Sequence, residues 1–473
     1  MQNTSPAFRE NVAHALVDPG LQRALGRAKK PFALVRANAV ANLPEFEALR
    51  DTAKAIKDHS LAHLDFYLEH YAASVEAQGG VVHWARTAAD ARAQILAICQ
   101  AAGARTVTKG KSMISEEIAL NDFLAANGVV PIETDLGEYI LQLRDEAPSH
   151  IIGPAFHLNR EDWEASFRKA HTHLPADRVF AEKRDIQAEA RAVLREKFLA
   201  ADVGITGANF LVAETGSSVI VTNEGNGDLT QTLPRVHIVL ASIEKVVPTI
   251  EDTLSLLRVL ARSATGQEFS VYTTFSTGPA RSADLDGPGE YHVVLLDNGR
   301  SNMVGGEFQD MLRCIRCSAC MNHCPVYLSV GGHAYGSMYS GPMGSVLTPA
   351  IFGLDQGNLL PNASTFCGKC ESVCPVKIPL TGLMRHWRER EFERHLTPVA
   401  MRYGLGVWGF VARRPALYRM MTRIAAMGLG RLGAKSGRFR WLPLAGAWTK
   451  DRDMPTPEGE TFFARLARME RGR

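Results

Sequence analysis

The sequence predicts an α/β domain with a largely parallel sheet, followed by a cysteine-rich helical module and a basic helical tail. Three observations carry this. Between about Gly79 and Gly299, short apolar runs alternate with helical segments, the pattern of strands joined by crossover helices. Seven of the eight cysteines fall between Cys314 and Cys374, in two groups that each end in Cys-Pro. From Thr397 to Lys450 there are ten Lys or Arg and no Asp or Glu.

A chain of 473 residues is too long for one ordinary core, and 46% hydrophobic with 22% charged residues is a soluble, globular composition. The opening "MQNTSPAFRENVAHALVDPG" lacks a basic start followed by an apolar run, so no secretory signal is expected. No stretch of about 18 apolar residues suggests a membrane span. The cytoplasm is the expected compartment, and a disulfide framework is not expected there. The tail from Thr381 to Arg473 carries 19 basic and 8 acidic side chains, whereas the rest carries 34 and 42. That asymmetry points to a partner surface on the tail.

Taken in order, residues 1–70 read as a helical segment, with apolar periodicity in "PEFEALRDTAKAIKDHSLAHLDFYLEHYAASVEAQG". Residues 71–302 form the α/β domain. There "ARTVTKG" reads as a strand, "SMISEEIALNDFLAANG" as a helix ending at Gly128, and "VVPIETD" as the next strand. "NFLVAETGSSVIVTN" reads as two β pieces joined at Gly216, and "VHIVLASIEKVV" and "YHVVLLDNG" as two more strands. Residues 303–395 hold the cysteine module and 396–473 the tail.

The first cysteine group, Cys314, Cys317, Cys320 and Cys324, is spaced C-x2-C-x2-C-x3-C-P. The second, Cys367, Cys370 and Cys374, repeats it with Ser364 where a first cysteine would stand. Tight spacing lets one loop wrap an inorganic cube, with successive sulfurs meeting different irons. Zinc sites more often use two separated Cys-x2-Cys knuckles, and a redox Cys-x-x-Cys needs only two sulfurs. Two copies with trailing prolines therefore point to iron–sulfur binding. In paired ferredoxin-type motifs the fourth cysteine of each group crosses to the other cluster. That rule assigns Cys314, Cys317, Cys320 and Cys374 to one cluster and Cys324, Cys367 and Cys370 to the second. The second is either 3Fe–4S, or 4Fe–4S with its fourth iron on Ser364, solvent or a partner's group; Ser364 also reads as a plain loop serine. Cys99, on the apolar stretch "AQILAICQ", is expected to be a buried small hydrophobe. A cluster pair passes single electrons, a wire between a two-electron step and a one-electron acceptor.

The stretches "KGKSMISEEIALNDFL", "PIETDLGEYILQL", "SHIIGPAFH", "GITGANFLVAETGSSVIVTNEGN" and "LPRVHIVLASIEKVVP" resemble the LUD domain. With the cysteine pair and helical tail, nearly the whole chain resembles the lactate utilization protein B family. The resemblance implies a doubly wound fold similar to that of sugar-phosphate isomerases of the NagB type and CoA transferases. It also implies two 4Fe–4S clusters on seven cysteines. Functionally, it implies one electron-transfer subunit of a three-protein system oxidising L-lactate to pyruvate, beside a cysteine-rich subunit and a shorter LUD protein.

Other residues invite chemistry of their own. "TKGKS" offers Lys109 and Lys111 between a strand and a helix, an anion site or a plain basic loop; it lacks the first glycine of a Walker motif. Glu133, Asp135 and Glu138 form a polar site or a capped helix start. Glu214 stands where a CoA transferase of this fold keeps its nucleophile. The alternative function is thus a free-standing LUD enzyme of acyl or CoA chemistry with redox-sensing clusters. A third is electron transfer from another 2-hydroxy acid such as glycolate. His150, His157 and His237 are acid–base candidates or structural histidines. No G-x-G-x-x-G follows a strand and no flavin site is evident, so the two-electron step is expected on a partner. Trp408, Trp441 and Trp448 among arginines suit docking on an acidic partner subunit, or peripheral contact with an anionic inner-membrane surface. A solvated helical cap is the plainer reading, and nucleic acid is not expected.

Overall fold

The computed structural model describes residues 3–28, 31–110, 112–442, 445–449 and 452–471. It comprises two compact units, Met1–Glu391 and Phe392–Arg473. The strands of the first are β1 (Val81–Ala85), β2 (Thr106–Gly110), β3 (Val130–Glu133), β4 (Val203–Thr206), β5 (Phe210–Val212), β6 (Ser217–Thr222), β7 (Val236–Ser242), β8 (Val246–Val247), β9 (Tyr272–Ser276) and β10 (Glu290–Leu296).

Six of them form an all-parallel sheet in the order β1-β10-β7-β4-β2-β3. Every residue of β7 is buried, because both faces of a parallel sheet are covered and its strands become continuous apolar runs. On one face Ile95 and Ile98 of the helix Ala88–Ala101 meet Val107, Ile205, Ile238 and Val294. On the other, Leu68, Tyr71 and Val75 of the helix Leu64–Ala77 meet Val239, Val293 and Leu295. The sheet is doubly wound. The chain steps from β2 outward to β3, then returns to β4 and continues through β7 and β10 toward the opposite edge.

The smaller sheet, β8-β5-β6-β9, has no counterpart in the sequence reading beyond the β5–β6 hairpin, which turns at Gly216 with φ 71°. "VHIVLASIEKVV" is split between the two sheets by a 3-10 turn at Ile243–Lys245, which lifts Glu244 and Lys245 off the carboxyl end of β7. "SMISEEIALNDFLAANG" is likewise two helices, Met113–Glu117 and Leu120–Ala126, broken at Ala119 with φ 49°. The break accompanies the inward placement of Glu117 against Arg300.

The N-terminal helices pack on the cysteine module. Ala15 joins Tyr327, Val330, Ala334 and Tyr335 in one apolar cluster, and the Gln22 amide donates to the Ser329 carbonyl at 2.9 Å. From the helix Phe46–Ala62, Arg50 donates to the Cys374 carbonyl from Nε at 3.0 Å and from Nη2 at 2.7 Å. The α/β domain closes on the same module. A Cβ on Gly332 would stand 1.8 Å from the Ser149 carbonyl, so only glycine fits.

The second unit contains the helices Val399–Ala412, Pro415–Gly433 and Phe462–Arg471, with a two-residue antiparallel bridge between Arg438–Phe439 and Met454–Pro455. Tyr403, Trp408, Trp441, Trp448 and Phe462 are exposed. No described helix is long and apolar enough to cross a membrane.

Candidate metal centre and adjoining crevice

The two cysteine loops follow one backbone path. Arg316 and Ser318 flank Cys317 at φ 59° each, and Phe366 and Gly368 flank Cys367 at 54° and 73°. The left-handed region is rare for non-glycine residues, and alternation through it turns successive N–H groups to one side, a concavity suited to anionic sulfur. Each loop then enters a one-turn helix, Ala319–Asn322 or Lys369–Ser372, and the two turns contact each other. Behind each Cys-Pro a backbone N–H donates to the last sulfur: Tyr327 to Cys324 at 3.5 Å and Ile378 to Cys374 at 3.4 Å.

Cys314, Cys317, Cys320 and Cys374 line a common cavity, walled by Ile315, Met343, Val376, Ile378 and Leu380. Cys320 feels the charges of the other three first, and then that of Cys370 from the neighbouring group. Cys324, the last of the first loop, instead couples to Cys367, and Cys370 couples to both. The fourth cysteine of each loop therefore lies with the other loop's thiols. Cys367 is the one exposed cysteine. Among the described residues no three His, Cys, Asp or Glu side chains converge to hold a single ion; zinc, with bonds near 2.3 Å, needs sulfurs within about 4 Å of one another. The first four thiols surround a space with apolar walls, a donor set that fits an iron–sulfur cube. Burial pushes the Cys370 thiol up to about 12 and Cys374 to about 11. Such thiols ionise against a compensating positive charge, which bound iron supplies. Ser364 Oγ accepts the Phe366 N–H at 3.1 Å within its own loop. Cys99 is fully buried, its thiol pushed up to about 12 by that burial.

A buried ion chain ties the first thiol group to the sheet. Arg300, with no exposed surface, forks onto Glu117 at 2.6 and 2.9 Å and reaches Glu244 at 3.0 Å. Tyr339 OH also donates to Glu117, and Glu244 pairs with Arg316 at 3.2 Å. Burial pushes the Glu244 carboxyl up, but Arg300, Arg316 and Lys245 overcome it and hold the group at about 2. Lys57 donates to the Glu244 carbonyl. Its ammonium is brought down to about 8 by burial, against the pull of Glu244 and Cys314. Lys245 is pushed down to about 7 by burial and then by Arg316. Arg36 donates to the Val373 carbonyl at 3.0 Å and adds to the positive charge near Cys317.

A crevice opens off the carboxyl ends of β2, β4 and β7, where ligands of open parallel sheets bind at the reversal of strand order. Its polar wall includes Ser112 after β2, Asn209 after β4 and Lys245 after β7, with Arg316 from the cysteine loop. Ile151 and Arg316 line both this crevice and the cavity of the first thiol group.

The remaining sequence candidates divide sharply. Lys109 is not an anion site: it is buried, with Nζ 2.6 Å from both Glu116 and Glu133 and 2.8 Å from Ser115 Oγ. Lys111 lies outside the described residues. Asp135 caps the helix Leu136–Arg144, accepting the N–H groups of Gly137 at 2.9 Å and Glu138 at 3.3 Å. Glu138 lines the crevice; burial, Glu133 and Asp135 hold its carboxyl well above the usual range. Glu214 is exposed and accepts the Ile250 N–H at 3.0 Å at the start of the helix Ile250–Ala264, away from the crevice lining. His150 Nδ1 accepts the N–H groups of Ile152 and Gly153 at 3.1 Å, so its Nε2–H donates to Asn322 Oδ1 at 3.0 Å. It is a neutral strut between the α/β domain and the cysteine loop. His157 sits between Ser149 Oγ at 2.7 Å and Glu146 at 3.0 Å, but that serine is buried and also meets the Pro154 carbonyl. His237 is buried on β7 against Thr206 Oγ1 at 2.8 Å. None of the three lines the crevice. Sequence reasoning missed Lys245, Arg316, Arg300 and Glu117; the legible signal was the charged pair Glu244–Lys245 interrupting an apolar run.

Three family descriptions match the chain: LUD domain over residues 68–296, 4Fe-4S dicluster domain over 310–378, and Lactate utilisation protein B, C-terminal, over 390–471. The second identifies the cysteine region as an iron–sulfur module. The chain is 40% identical to Lactate utilization protein B of Bacillus subtilis, covering 98% of this chain and 96% of that protein. It is 42% identical to the protein of that name in Macrococcus caseolyticus, over 98% and 97% of the two lengths. A solved structure of a DUF162 family protein from Deinococcus radiodurans aligns at 13% identity over 49% of this chain and 98% of its own. Its TM-score of 0.26 is too low to bear on the fold.

Proposed function

The chain belongs to the lactate utilization protein B family, and from that premise we propose that it is the iron–sulfur electron-transfer subunit of a multi-protein system oxidising L-lactate to pyruvate. In this reading Cys314, Cys317, Cys320 and Cys374 hold one 4Fe–4S cluster. Cys324, Cys367 and Cys370 hold a second, whose fourth iron has a ligand other than cysteine. The observation that carries the reading is the exchange of Cys374 and Cys324 between the two loops, which makes two adjacent thiol groups from two separated stretches. The clusters, when bound, accept and release one electron at a time. The protein's own contribution is to exclude water from the first group, aim N–H groups at the sulfurs, and leave the second open at Cys367.

The partners in this reading are a cysteine-rich subunit and a shorter LUD protein. The basic second unit, with its exposed Trp408, Trp441 and Trp448, is the docking element, and the system works in the cytoplasm with peripheral contact at the inner membrane surface. Anaerobic purification with iron, sulfide and zinc analysis, then EPR after adding L-lactate to the assembled partners, tests the proposal. About eight irons per chain and lactate-dependent reduction of both centres are expected. Zinc in place of iron, or clusters that stay oxidised in the complete system, overturns it. Truncation after Pro398 is expected to keep the iron while uncoupling the clusters from the acceptor.

A further inference from the structure

The crevice off β2, β4 and β7 has a role that the thiol groups do not use. Lys245 is only 7% exposed, and among the described residues its ammonium makes no hydrogen bond and no close ion pair. It lines the crevice and not the thiol cavity, although the Cys314 thiol is near enough to act on its charge. Beside it, Arg316 Nη1 is buried without a hydrogen-bond partner, while Nη2 is engaged by Glu244. Burying a cation without a partner is costly, and the nearest carboxylate, Glu244, is already shared with Arg300 and Arg316. The lining also has apolar members, among them Ile220, Leu260 and Ala264. Asn209 and Glu138 also line it and offer hydrogen bonds, and burial biases the Glu138 carboxyl toward its uncharged form.

We propose that this crevice binds a small 2-hydroxy or 2-oxo monocarboxylate, its carboxylate on Lys245 and Arg316 and its carbon end against Leu260 and Ala264. The cavity measures about 140 Å³. An engineered cavity of about 150 Å³ in another protein accepts benzene, six heavy atoms, which is also the count of lactate and of pyruvate. The space suits a three-carbon acid and is too small to enclose a nucleotide. The identity of the acid rests on the lactate reading; the presence of an anion site does not.

Arg316 stands between Cys314 and Cys317 and is also a wall of the crevice, so bound anion and cluster charge act on each other. Adding an electron to the cluster then weakens anion binding. By reciprocity, the bound anion makes that cluster harder to reduce.

The test uses anaerobic holoprotein, titrated calorimetrically with L-lactate, pyruvate and, separately, inorganic phosphate. One-to-one binding of lactate or pyruvate is expected, weakened about tenfold or more by Lys245→Met, as for loss of a charge-assisted hydrogen bond. Ala264→Phe, which adds bulk to the lining and leaves both cations in the sequence, should abolish binding with iron content unchanged, and it keeps the test alive if Lys245→Met fails to fold. A dye-coupled redox titration should show one cluster at a more negative potential with ligand present, and no such shift in Ala264→Phe. Absence of saturable binding, equal binding in wild type and Ala264→Phe, or tighter binding of phosphate than of either acid overturns the inference. If binding is absent while the assembled system still reduces the clusters with lactate, the inference falls and the functional reading stands. If lactate fails to reduce them, the functional reading falls whether or not the crevice binds an anion.

Discussion

The two thiol groups are made from the same loop twice, yet their surroundings differ. The group of Cys314, Cys317, Cys320 and Cys374 is enclosed, ringed by Arg36, Arg50, Lys57 and Arg316, and shares a wall with the crevice. The group of Cys324, Cys367 and Cys370 has an exposed member and a serine in place of a fourth thiol. Identical backbone paths with different neighbours separate what a loop encodes, the cradle, from what the fold adds, the direction. On the electron-transfer reading, the enclosed site beside the crevice and the open site at the surface are the inner and outer ends of a path.

The largest effect is expected from Cys374→Ala, which removes the only thiol that the second loop gives the enclosed group. Iron should fall by about half and lactate-driven reduction should vanish, while the EPR signal of the open group survives. Loss of both signals would mean that the two groups do not assemble independently. Next, Arg300→Met leaves Glu117 and Glu244 buried without their shared cation. Denaturant unfolding of the holoprotein should show a loss of about 3–5 kcal/mol, the cost of breaking a buried pair.

Acid should bear on the enclosed side. Burial lowers His150 to about 4 and His237 to about 3, both below the usual imidazole value. Between pH 6.5 and those values the unfolded chain binds protons that the folded chain refuses, so stability falls as pH falls. At pH 5.5 each contributes a loss of about 1.4 kcal/mol relative to neutral pH. Urea midpoints at pH 7.5 and 5.5 check this, and His150→Gln should remove its own share of about 1.4 kcal/mol from the dependence. A fourth comparison is kinetic: a chelator should strip iron in two phases, the faster one from the open group, and Cys367→Ser should speed only that phase. Smallest is Ser364→Cys, which should leave iron at about eight per chain and alter only the spectrum of the open cluster. A rise in iron would instead reveal a three-iron centre there.

Much of this was legible in one dimension. The run "VHIVLAS" announced a strand, the alternation of strands with helices announced a largely parallel sheet, and the cysteine spacing with its two prolines announced an iron–sulfur module. What escaped depends on distant partners. Alanine is a good helix former, so nothing near Ala119 signals a break; the pairing of Glu117 with Arg300, 183 residues away, lies beyond local propensity. Lys109 looks like an anion hook in the sequence because Glu133, which neutralises it, comes from the next strand. Lys245 reads as half of a charged pair in an apolar stretch until the fold places it beside Arg316.

The embrace of the cysteine module by the first helices carries a consequence for biogenesis. Arg50 holds a carbonyl 324 residues downstream. At ~5–20 residues per second, the helix bearing it leaves the ribosome roughly 15 to 60 s before its seat exists. During that interval the opening helices have apolar faces and no surface to cover them, and the metal-binding loops, once made, are still uncapped. The thiols are therefore easiest for iron and sulfide to reach before Arg50 finds the Cys374 carbonyl, and a shut clasp narrows that access.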